Sequence, residues 1–529
     1  MSASLPPHLA SLLRPEGYPH EVAAICLVET HISWVLLTGE FAYKIKKPVH
    51  YPFIDLRSPE RRAFFCAEEL RLNRRFAPLL YLEVCAVTLE NGRARISGRG
   101  EVIDHAVRMR QFRPADELAA LLARGALAPA ELAAFGRELA RLHAQAPPVT
   151  ATQPWGEPQS VRTLLLQNLR ECVQAAAALA APDAVARLGA GYRARLDALL
   201  PLMGSRRAAG RVRECHGDLH VGNLVRYDDR LLAFDCMEFE PAFRWIDVAE
   251  EIATLFMDLA ARGLRAHAQA FLGGYLFAGG DYQACRLLRL YATHRALVRA
   301  KVLALQAHAA AEPDRTALRR EHGRYVTCAG EMLAPSRPLL IAVCGVSGSG
   351  KTWLAERLVP LLGAVHVRSD VERKRMAGLT EGERSGAALL EGLYSPESSA
   401  RVYARLSECA ADILAGGLTA VIDATFQRRE ERARLQRLAA QCGVTLQIIF
   451  CHAPPAVLEA RIAGRMQAAS MDASEADRRV LAWQQTHFEA ISAAEALPVI
   501  DADTTRAAVV SDVLAGLGRN PDGGRAGRA

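Results

Sequence analysis

The amino-acid sequence predicts two unlike halves: an α+β half, with a small β-rich lobe before a larger helical lobe, and an α/β half built on a parallel sheet. Short β-rich runs precede long helical stretches in the first 330 residues, whereas apolar runs alternate with helical patterns beyond residue 338. Between them, residues 329–338 contain two prolines. Because 529 residues exceed one ordinary core, we predict domains at residues 1–330 and 338–518 and a disordered tail at residues 519–529.

Composition narrows the class of protein and its partners. Half of the residues are hydrophobic and 23% are charged, which is typical of a globular protein, and the net charge of +7 is spread along the chain. Nucleic acid is therefore not an expected partner. We expect no membrane span and no secretory signal, because no run of eighteen apolar residues and no basic-then-apolar start occurs. Twelve cysteines without a Cys-x-x-Cys pair indicate the reduced thiols of a cytoplasmic protein.

The β-rich lobe is predicted from residue 23 onwards. Two β-rich runs flank the turn at Gly39 and Glu40, and a helix is expected at about residues 58–75. Further strands are expected at residues 84–88, 94–97 and 105–110, and helix at residues 117–146 and over most of residues 161–203 and 244–310.

A polar motif follows the second helical stretch. Residues 216–223 read His-Gly-Asp-Leu-His-Val-Gly-Asn, and Asp235 ends an apolar run twelve residues later. The residues between them predict a hairpin that returns Asp235 to the side of Asn223. An Asp, an Asn five residues later and a second Asp after a short strand are typical of protein kinases. In that arrangement Asp218 accepts the proton of the substrate hydroxyl, while Asn223 and Asp235 hold Mg²⁺ on the phosphates of ATP.

The same arrangement requires a lysine for the ATP phosphates and a glutamate that pairs with it. Lys44 and Lys46 both qualify, since alternation along the strand places them on one face. We prefer Lys44 and leave Lys46 as the alternative. Glu69, among apolar residues of the predicted helix, is the expected partner. A Gly-x-Gly-x-x-Gly loop does not precede these lysines.

The α/β half begins with the most specific motif in the chain. An apolar run at residues 339–344 leads into Gly345-x-x-x-x-Gly350-Lys351-Thr352, and a helical pattern follows. This strand–loop–helix order is that of a P-loop, whose backbone N–H groups surround a phosphate. Lys351 would reach the β- and γ-phosphates, and Thr352 would ligate Mg²⁺. The predicted nucleotide-binding residues of the loop are Gly345, Ser347, Gly348, Ser349, Gly350, Lys351 and Thr352.

Two acids follow other predicted strands of this half. Asp370 lies beyond the strand predicted at residues 364–367, and Asp423 ends the strand predicted at residues 419–422. Carboxyl ends of parallel strands meet at one edge, so both acids should face the phosphates. Asp370 could accept the proton of an acceptor hydroxyl, Arg373 could neutralise substrate charge, and Asp423 could hold Mg²⁺. The last two strands are predicted at residues 445–451 and 497–500.

The motif around Asp218 resembles that of aminoglycoside phosphotransferase-like kinases. The P-loop half, with Ser369-Asp370 and Asp423-Ala-Thr425, resembles kinases of the gluconate kinase, polynucleotide kinase and zeta-toxin kind. The whole chain thus resembles bacterial fusions of the two, and the likeness adds Arg461 and Arg465 as arginines that close over ATP. It implies two Mg²⁺- and ATP-dependent kinases, each phosphorylating a hydroxyl of a small molecule. The alternatives are one catalytic half beside a nucleotide sensor or regulatory ATPase, or a pseudokinase scaffold.

Overall fold

The computed structural model describes residues 6–51, 54–177, 179, 182–380, 383, 392–467 and 474–519. The chain divides into two compact units. Unit 1 comprises Met1–Glu131, Leu142–Leu166 and Asp197–Asp258, and unit 2 comprises Leu132–Arg141, Gln167–Leu196 and Leu259–Ala529. The domain boundary near Pro335 stays a prediction, since unit 2 contains residues on both sides of it. Of the predicted disordered tail, all but Arg519 lies outside the described residues.

Unit 1 begins with an antiparallel sheet of six strands among the described residues, in the order β1-β2-β3-β8-β6-β7. All six residues of β3 are buried, including both of its lysines. Ser58 caps the N-terminus of helix α1, because its side chain accepts a hydrogen bond from the backbone N–H of Arg61. Pro59 suits the first turn of the helix. The elements are β1 Cys26–Glu29, β2 Ser33–Leu37, β3 Phe41–Lys46, β4 His50–Tyr51, β5 Ile54–Asp55, α1 Pro59–Phe76, β6 Tyr81–Glu90, β7 Arg93–Ile96 and β8 Glu101–Arg110.

The middle of the chain is mainly helical, as predicted, with two differences. Residues 117–146 form two helices, because Gly125 takes a left-handed φ of 66° and Pro129 opens the next helix. Residues 245–247, at the start of a stretch predicted to be mostly helical, form a strand paired with residues 212–214. The elements are α2 Leu118–Ala123, α3 Pro129–Gln145, α4 Pro158–Ala177, α5 Pro182–Ala186, α6 Gly189–Ala208, β9 Val212–Glu214, β10 Leu224–Tyr227, β11 Arg230–Ala233, α7 Pro241–Arg244, β12 Trp245–Asp247, α8 Val248–Ala261, α9 Arg265–Gly279, α10 Ala284–Ala309 and α11 Asp314–Leu333.

Unit 2 contains a parallel sheet of five strands among the described residues, in the order β14-β15-β13-β16-β17. This confirms the predicted α/β fold. The central strand β13 is buried because helices cover both faces of such a sheet. The elements are β13 Leu339–Cys344, α12 Lys351–Leu362, β14 Ala364–Arg368, α13 Ser369–Met376, α14 Pro396–Ala415, β15 Thr419–Asp423, α15 Arg429–Cys442, β16 Thr445–His452, α16 Pro455–Gln467, α17 Arg478–His487, β17 Val499–Asp503 and α18 Val509–Gly516.

The topology places the predicted site residues of unit 2 together. Strands β13, β14 and β15 are adjacent and parallel, so their carboxyl ends lie at one edge of the sheet. The P-loop follows β13, Asp370 follows β14 and Asp423 ends β15. None of the helices in the described residues is long and apolar enough to cross a membrane.

Candidate active sites

The first site, in unit 1, is organised by the hairpin of β10 and β11. Its turn is formed by Asp228 and Asp229, both with left-handed φ angles of 51° and 56°, as a tight two-residue hairpin requires. The backbone N–H of Phe234 donates to the carbonyl of Asn223 over 3.0 Å. Asp235, the residue after Phe234, is therefore placed close to Asn223, as the sequence predicts.

Asp218 lies on the loop before this hairpin. The side-chain amide of Asn223 donates to the Asp218 carbonyl over 3.0 Å, and its nitrogen lies 3.5 Å from Asp218 Oδ2. The Asp218 side chain is 38% exposed, so a substrate hydroxyl can reach it. His220 Nε2 also lies 3.5 Å from Asp218 Oδ2.

Two buried acids of helix α8, which the sequence reasoning missed, hold the backbone of this loop. Glu251 accepts hydrogen bonds from the backbone N–H groups of His216 at 2.7 Å and Gly217 at 3.1 Å. Asp258 accepts one from Val221 at 2.9 Å. The two acids lie seven residues apart on α8, which is a helical spacing that could have suggested a shared face. Their contacts fix the loop before any substrate binds.

A buried cluster of charges joins strand β3 to the segment after the hairpin. Lys44 Nζ lies 2.6 Å from Asp235 Oδ1 and 2.8 Å from Glu69 Oε1. Lys46 contacts Glu69 and Glu238, and its side chain is fully buried. Both predicted lysines thus share the predicted glutamate, but only Lys44 contacts the carboxylate predicted to hold Mg²⁺.

The environment fixes which of these groups are charged. Burial alone would lower the pKa of Lys44, but Asp235 and Glu69 hold it well above its usual value. Burial would raise the pKa of Glu69, yet the two lysines lower it. Burial does raise the pKa of Glu238, and Lys46 offsets this only in part. The two ammonium groups thus face three carboxyl groups, those of Glu69, Glu238 and Asp235.

The donor set around Asp235 fits Mg²⁺. The ion prefers oxygen ligands, which the carboxylate of Asp235 and the side-chain amide oxygen of Asn223 could supply. Neighbouring groups hold this segment in place, since Asp235 N–H donates to Tyr81 Oη at 3.1 Å and Cys236 N–H to Asn73 Oδ1 at 2.9 Å. Asp235 itself takes a left-handed φ of 63°, which is uncommon for a residue other than glycine.

The second site, in unit 2, is the P-loop. Gly345, Gly348 and Gly350 take φ angles of 137°, 81° and 86°, which side chains disfavour. A Cβ atom on Gly345 would lie 2.2 Å from the carbonyl oxygen of Cys451 on β16, so the loop passes too close to that strand for a side chain. Helix α12 begins at Lys351, whose Nζ donates to the carbonyl of Val346 over 2.9 Å.

The P-loop and strand β15 bring two predicted Mg²⁺ ligands into contact. Thr352 Oγ1 lies 2.5 Å from Asp423 Oδ2. Burial opposes the ionisation of Asp423, yet His366 and Lys351 lower its pKa to about 2. The carboxylate is therefore charged at neutral pH. A hydroxyl and a carboxylate oxygen beside a phosphate-binding loop fit Mg²⁺ bound to ATP.

These groups line a cleft of about 580 Å³. Its walls also carry the predicted residues Asp370, Arg373, Arg461 and Arg465. Arg461 donates to the carbonyl of Gly348 at 3.2 Å and to Thr504 Oγ1 at 2.8 Å, so it holds the P-loop directly in this structure. Its predicted closure over ATP stays a prediction.

Three supporting residues of the second site were not foreseen. Gln484 accepts from the backbone N–H of Ser347 over 2.7 Å, and Thr504 Oγ1 donates to the carbonyl of Ser349 over 2.8 Å. Tyr403 Oη accepts from the backbone N–H of Phe426 at 3.1 Å beyond the end of β15. Gln484 and Thr504 lie more than 130 residues from their partners, and no local pattern links them.

Comparison with known proteins finds two family matches, one in each of the halves predicted from the sequence. The model of a phosphotransferase enzyme family matches residues 55–288, and the model of an AAA domain matches residues 340–491. The chain is 30% identical to the uncharacterized protein Rv2004c of Mycobacterium tuberculosis over 439 residues, which are 83% of this chain and 85% of the relative.

Two solved structures resemble parts of the chain. An aminoglycoside phosphotransferase from Alicyclobacillus acidocaldarius is 14% identical, with a TM-score of 0.37, over 63% of this chain and 95% of that one. A gluconokinase from Sinorhizobium meliloti 1021 is 22% identical, with a TM-score of 0.26, over 34% of this chain and 93% of that one.

Proposed function

We propose that each half of the chain transfers the γ-phosphoryl group of ATP to a hydroxyl group. The chain belongs to the family of the uncharacterized protein Rv2004c, and it joins an aminoglycoside phosphotransferase-like domain to a P-loop kinase domain. The observation that carries this most strongly is the cleft of unit 2. It brings together Lys351, the contacting pair Thr352 and Asp423, and the separate carboxylate of Asp370. This additional acid could accept the proton of an attacking hydroxyl, which a site that only binds nucleotide would not need.

In the P-loop half, the backbone of residues 345–352 would hold the phosphates and Lys351 would neutralise their charge. Mg²⁺, held by Thr352 and Asp423, would draw charge from the transferring group. Asp370 would accept the proton of the acceptor hydroxyl. Arg373, whose guanidinium lies 5.0 Å over the ring of Tyr394 on the cleft wall, supports an acceptor that carries negative charge.

In the phosphotransferase-like half, Lys44 would bind the ATP phosphates and Glu69 would orient it, because Glu69 contacts both Lys44 and Lys46. Asn223 and Asp235 would hold Mg²⁺. Asp218 would accept the proton of the hydroxyl, since its carboxylate is exposed and is oriented by Asn223. Positioning and charge account for this chemistry, and no covalent intermediate with the protein is needed.

We also propose a cytoplasmic location. ATP is the cosubstrate, and all twelve cysteines are free thiols, most of them buried.

The test is an ATP-consumption screen of the full chain against sugars, amino alcohols, nucleosides and aminoglycosides. Each acceptor is assayed with the wild type, with Asp218→Ala and with Lys351→Ala, so that each half is silenced in turn. We expect one set of acceptors to be lost with each variant. If only one variant removes turnover, the other half is a nucleotide sensor or regulatory ATPase. If no acceptor stimulates ATP consumption, the proposal fails.

A further inference from the structure

Helix α13 carries a second acid besides Asp370. Glu372 lies two residues after Asp370 and is fully buried, whereas Asp370 lines the cleft. Its carboxylate is contacted by Arg375 of the same helix and lies 3.3 Å from Arg405 Nε of α14. A carboxylate buried between two guanidinium groups is costly to desolvate unless every partner is satisfied.

The guanidinium groups of the same two arginines also donate hydrogen bonds to backbone carbonyls at the end of helix α9. Arg405 Nη2 donates to the carbonyl of Gly280 over 3.0 Å, and Arg375 donates to the carbonyl of Phe277. These carbonyls lie at the C-terminal end of α9, where the last turn lacks intrahelical partners and partial negative charge favours cations. Tyr282 Oη, just beyond, lies 3.4 Å from Glu372 Oε1. We call Glu372, Arg375 and Arg405 the α13 triad.

Gly280 makes this contact possible for two reasons. It ends α9 with a left-handed φ of 64°, which a glycine adopts without strain. A Cβ atom at this position would also lie 2.6 Å from Cδ and Nε of Arg375. The end of α9 thus accommodates a side chain of α13, and both elements belong to unit 2.

The two elements belong to different family matches. Gly280 and Tyr282 lie in the region that matches the phosphotransferase family, and the α13 triad lies in the region that matches the AAA domain. A helix of the first half therefore holds the helix that presents Asp370 in the second.

We propose that Glu372 is a positioning residue of the P-loop site, and that the C-terminal end of α9 fixes Asp370 in the cleft through the α13 triad. This inference rests on the proposed phosphoryl transfer by the P-loop half. Weakening the triad should lower turnover without weakening nucleotide binding, because Lys351 and Thr352 lie on the separate helix α12.

The first experiment compares Gly280→Ala with Gly263→Ala in the full chain that also carries Asp218→Ala. Gly263 has a similar φ of 78°, but a Cβ atom there meets nothing within 4 Å, so it controls for backbone strain. Hydrogen exchange is measured in the peptide covering residues 369–376. We expect exchange roughly tenfold faster in Gly280→Ala and unchanged in Gly263→Ala. Equal exchange in both variants would overturn the inference.

The second experiment measures the slow hydrolysis of MgATP, with water as the acceptor, in the same chains and in Glu372→Gln. We expect kcat to fall roughly tenfold in Gly280→Ala and Glu372→Gln while KM for MgATP stays unchanged. Glu408→Gln is the control, since this exposed acid lies 3.5 Å from the same Arg405 and should leave kcat unaltered. A parallel rise in KM would show that the triad supports the whole site and would overturn the positioning role.

If a variant loses its fold, hydrogen exchange becomes faster throughout the parallel sheet. In that case the milder variant Tyr282→Phe, which removes one hydroxyl group, is tested by the same exchange measurement. Faster exchange confined to residues 369–376 supports the inference, and unchanged exchange overturns it. If the wild type binds or hydrolyses no MgATP, the proposed function fails, whereas the exchange result still decides whether α9 holds α13.

Discussion

Lys44 Nζ and Asp235 Oδ1 lie 2.6 Å apart, so a lysine of strand β3 directly contacts a carboxylate 191 residues later. The same lysine contacts Glu69. If MgATP binds here as proposed, it would rearrange this ion pair, because Asp235 would exchange its lysine for a metal ion. The neighbouring Lys46 contacts Glu69 and Glu238, which are both buried, and we expect it to stabilise the fold.

We predict that Lys44→Ala mainly weakens nucleotide binding, whereas Lys46→Met mainly lowers the stability of the fold. Lys44→Ala should weaken nucleotide binding in unit 1 by roughly 10- to 100-fold, because a charge-assisted contact with phosphate is lost. Lys46→Met should cost about 3–5 kcal/mol of stability, because Glu69 and Glu238 lose a buried cation. Calorimetric titration with ATP and urea unfolding measure the two effects. Equal binding defects in both variants would contradict the assignment of Lys44.

Asp218→Ala should lower phosphoryl transfer by the first half by about 10²–10⁴, because a base and orienting group is lost. ATP affinity should stay near the wild-type value. The control is Asp228→Asn, which removes an exposed carboxylate from the hairpin turn and keeps a residue that tolerates its left-handed φ. Turnover of the first half that is equal in Asp218→Ala and wild type would remove its kinase assignment.

Lys351→Ala should weaken binding of MgATP to the P-loop site by roughly 10- to 100-fold, because about 1.5–3 kcal/mol of charge-assisted contact is lost. Calorimetry on the full chain should then show one tight site in place of two. Arg357→Ala is the control, since it removes a cation from the same helix at a position that stacks 4.0 Å over Trp353. Two tight sites in Lys351→Ala would mean that the loop is only a structural turn.

Acid should destabilise unit 1 through His143. Burial, with smaller contributions from Arg75 and Arg213, lowers the pKa of this histidine to about 3. Below about pH 6.5 the unfolded chain binds a proton at this imidazole, whereas the folded chain does not. The free energy of unfolding therefore has its full value at high pH and decreases as the pH falls from about 6.5 towards 3. At pH 5 the loss should be about 2 kcal/mol relative to pH 8. A comparison of urea midpoints at the two pH values should show a smaller difference in His143→Gln than in wild type.

Local patterns were sufficient for much of the fold. The P-loop could be predicted because strand, glycine loop and helix are contiguous, and the hairpin at Asp228 and Asp229 because a turn signal separates two short apolar runs. Glu69 could be selected because it faces inward on a helix that follows the lysine strand. The strand at residues 245–247 was not separated from the mostly helical stretch predicted around it, because the strand depends on pairing with β9.

Contacts between distant segments could not be predicted. Glu238 meets Lys46 across 192 positions and Gln484 meets Ser347 across 137, and neither acceptor stands in a motif. The choice between Lys44 and Lys46 was likewise open, because alternation places both on one face. In the structure Lys44 contacts Asp235, a contact that depends on tertiary packing, and the assignment of Lys44 to ATP stays a prediction.

The close approach of Gly280 and Arg375 limits how such a chain can be recombined. If the halves were merely tethered, a chimera joined at the linker could take its P-loop half from any relative. Here a Cβ atom at position 280 of the recipient would displace the side chain of Arg375, and the donor would have to supply guanidinium groups that reach the end of α9. A viable graft would therefore exchange α9 together with the second half.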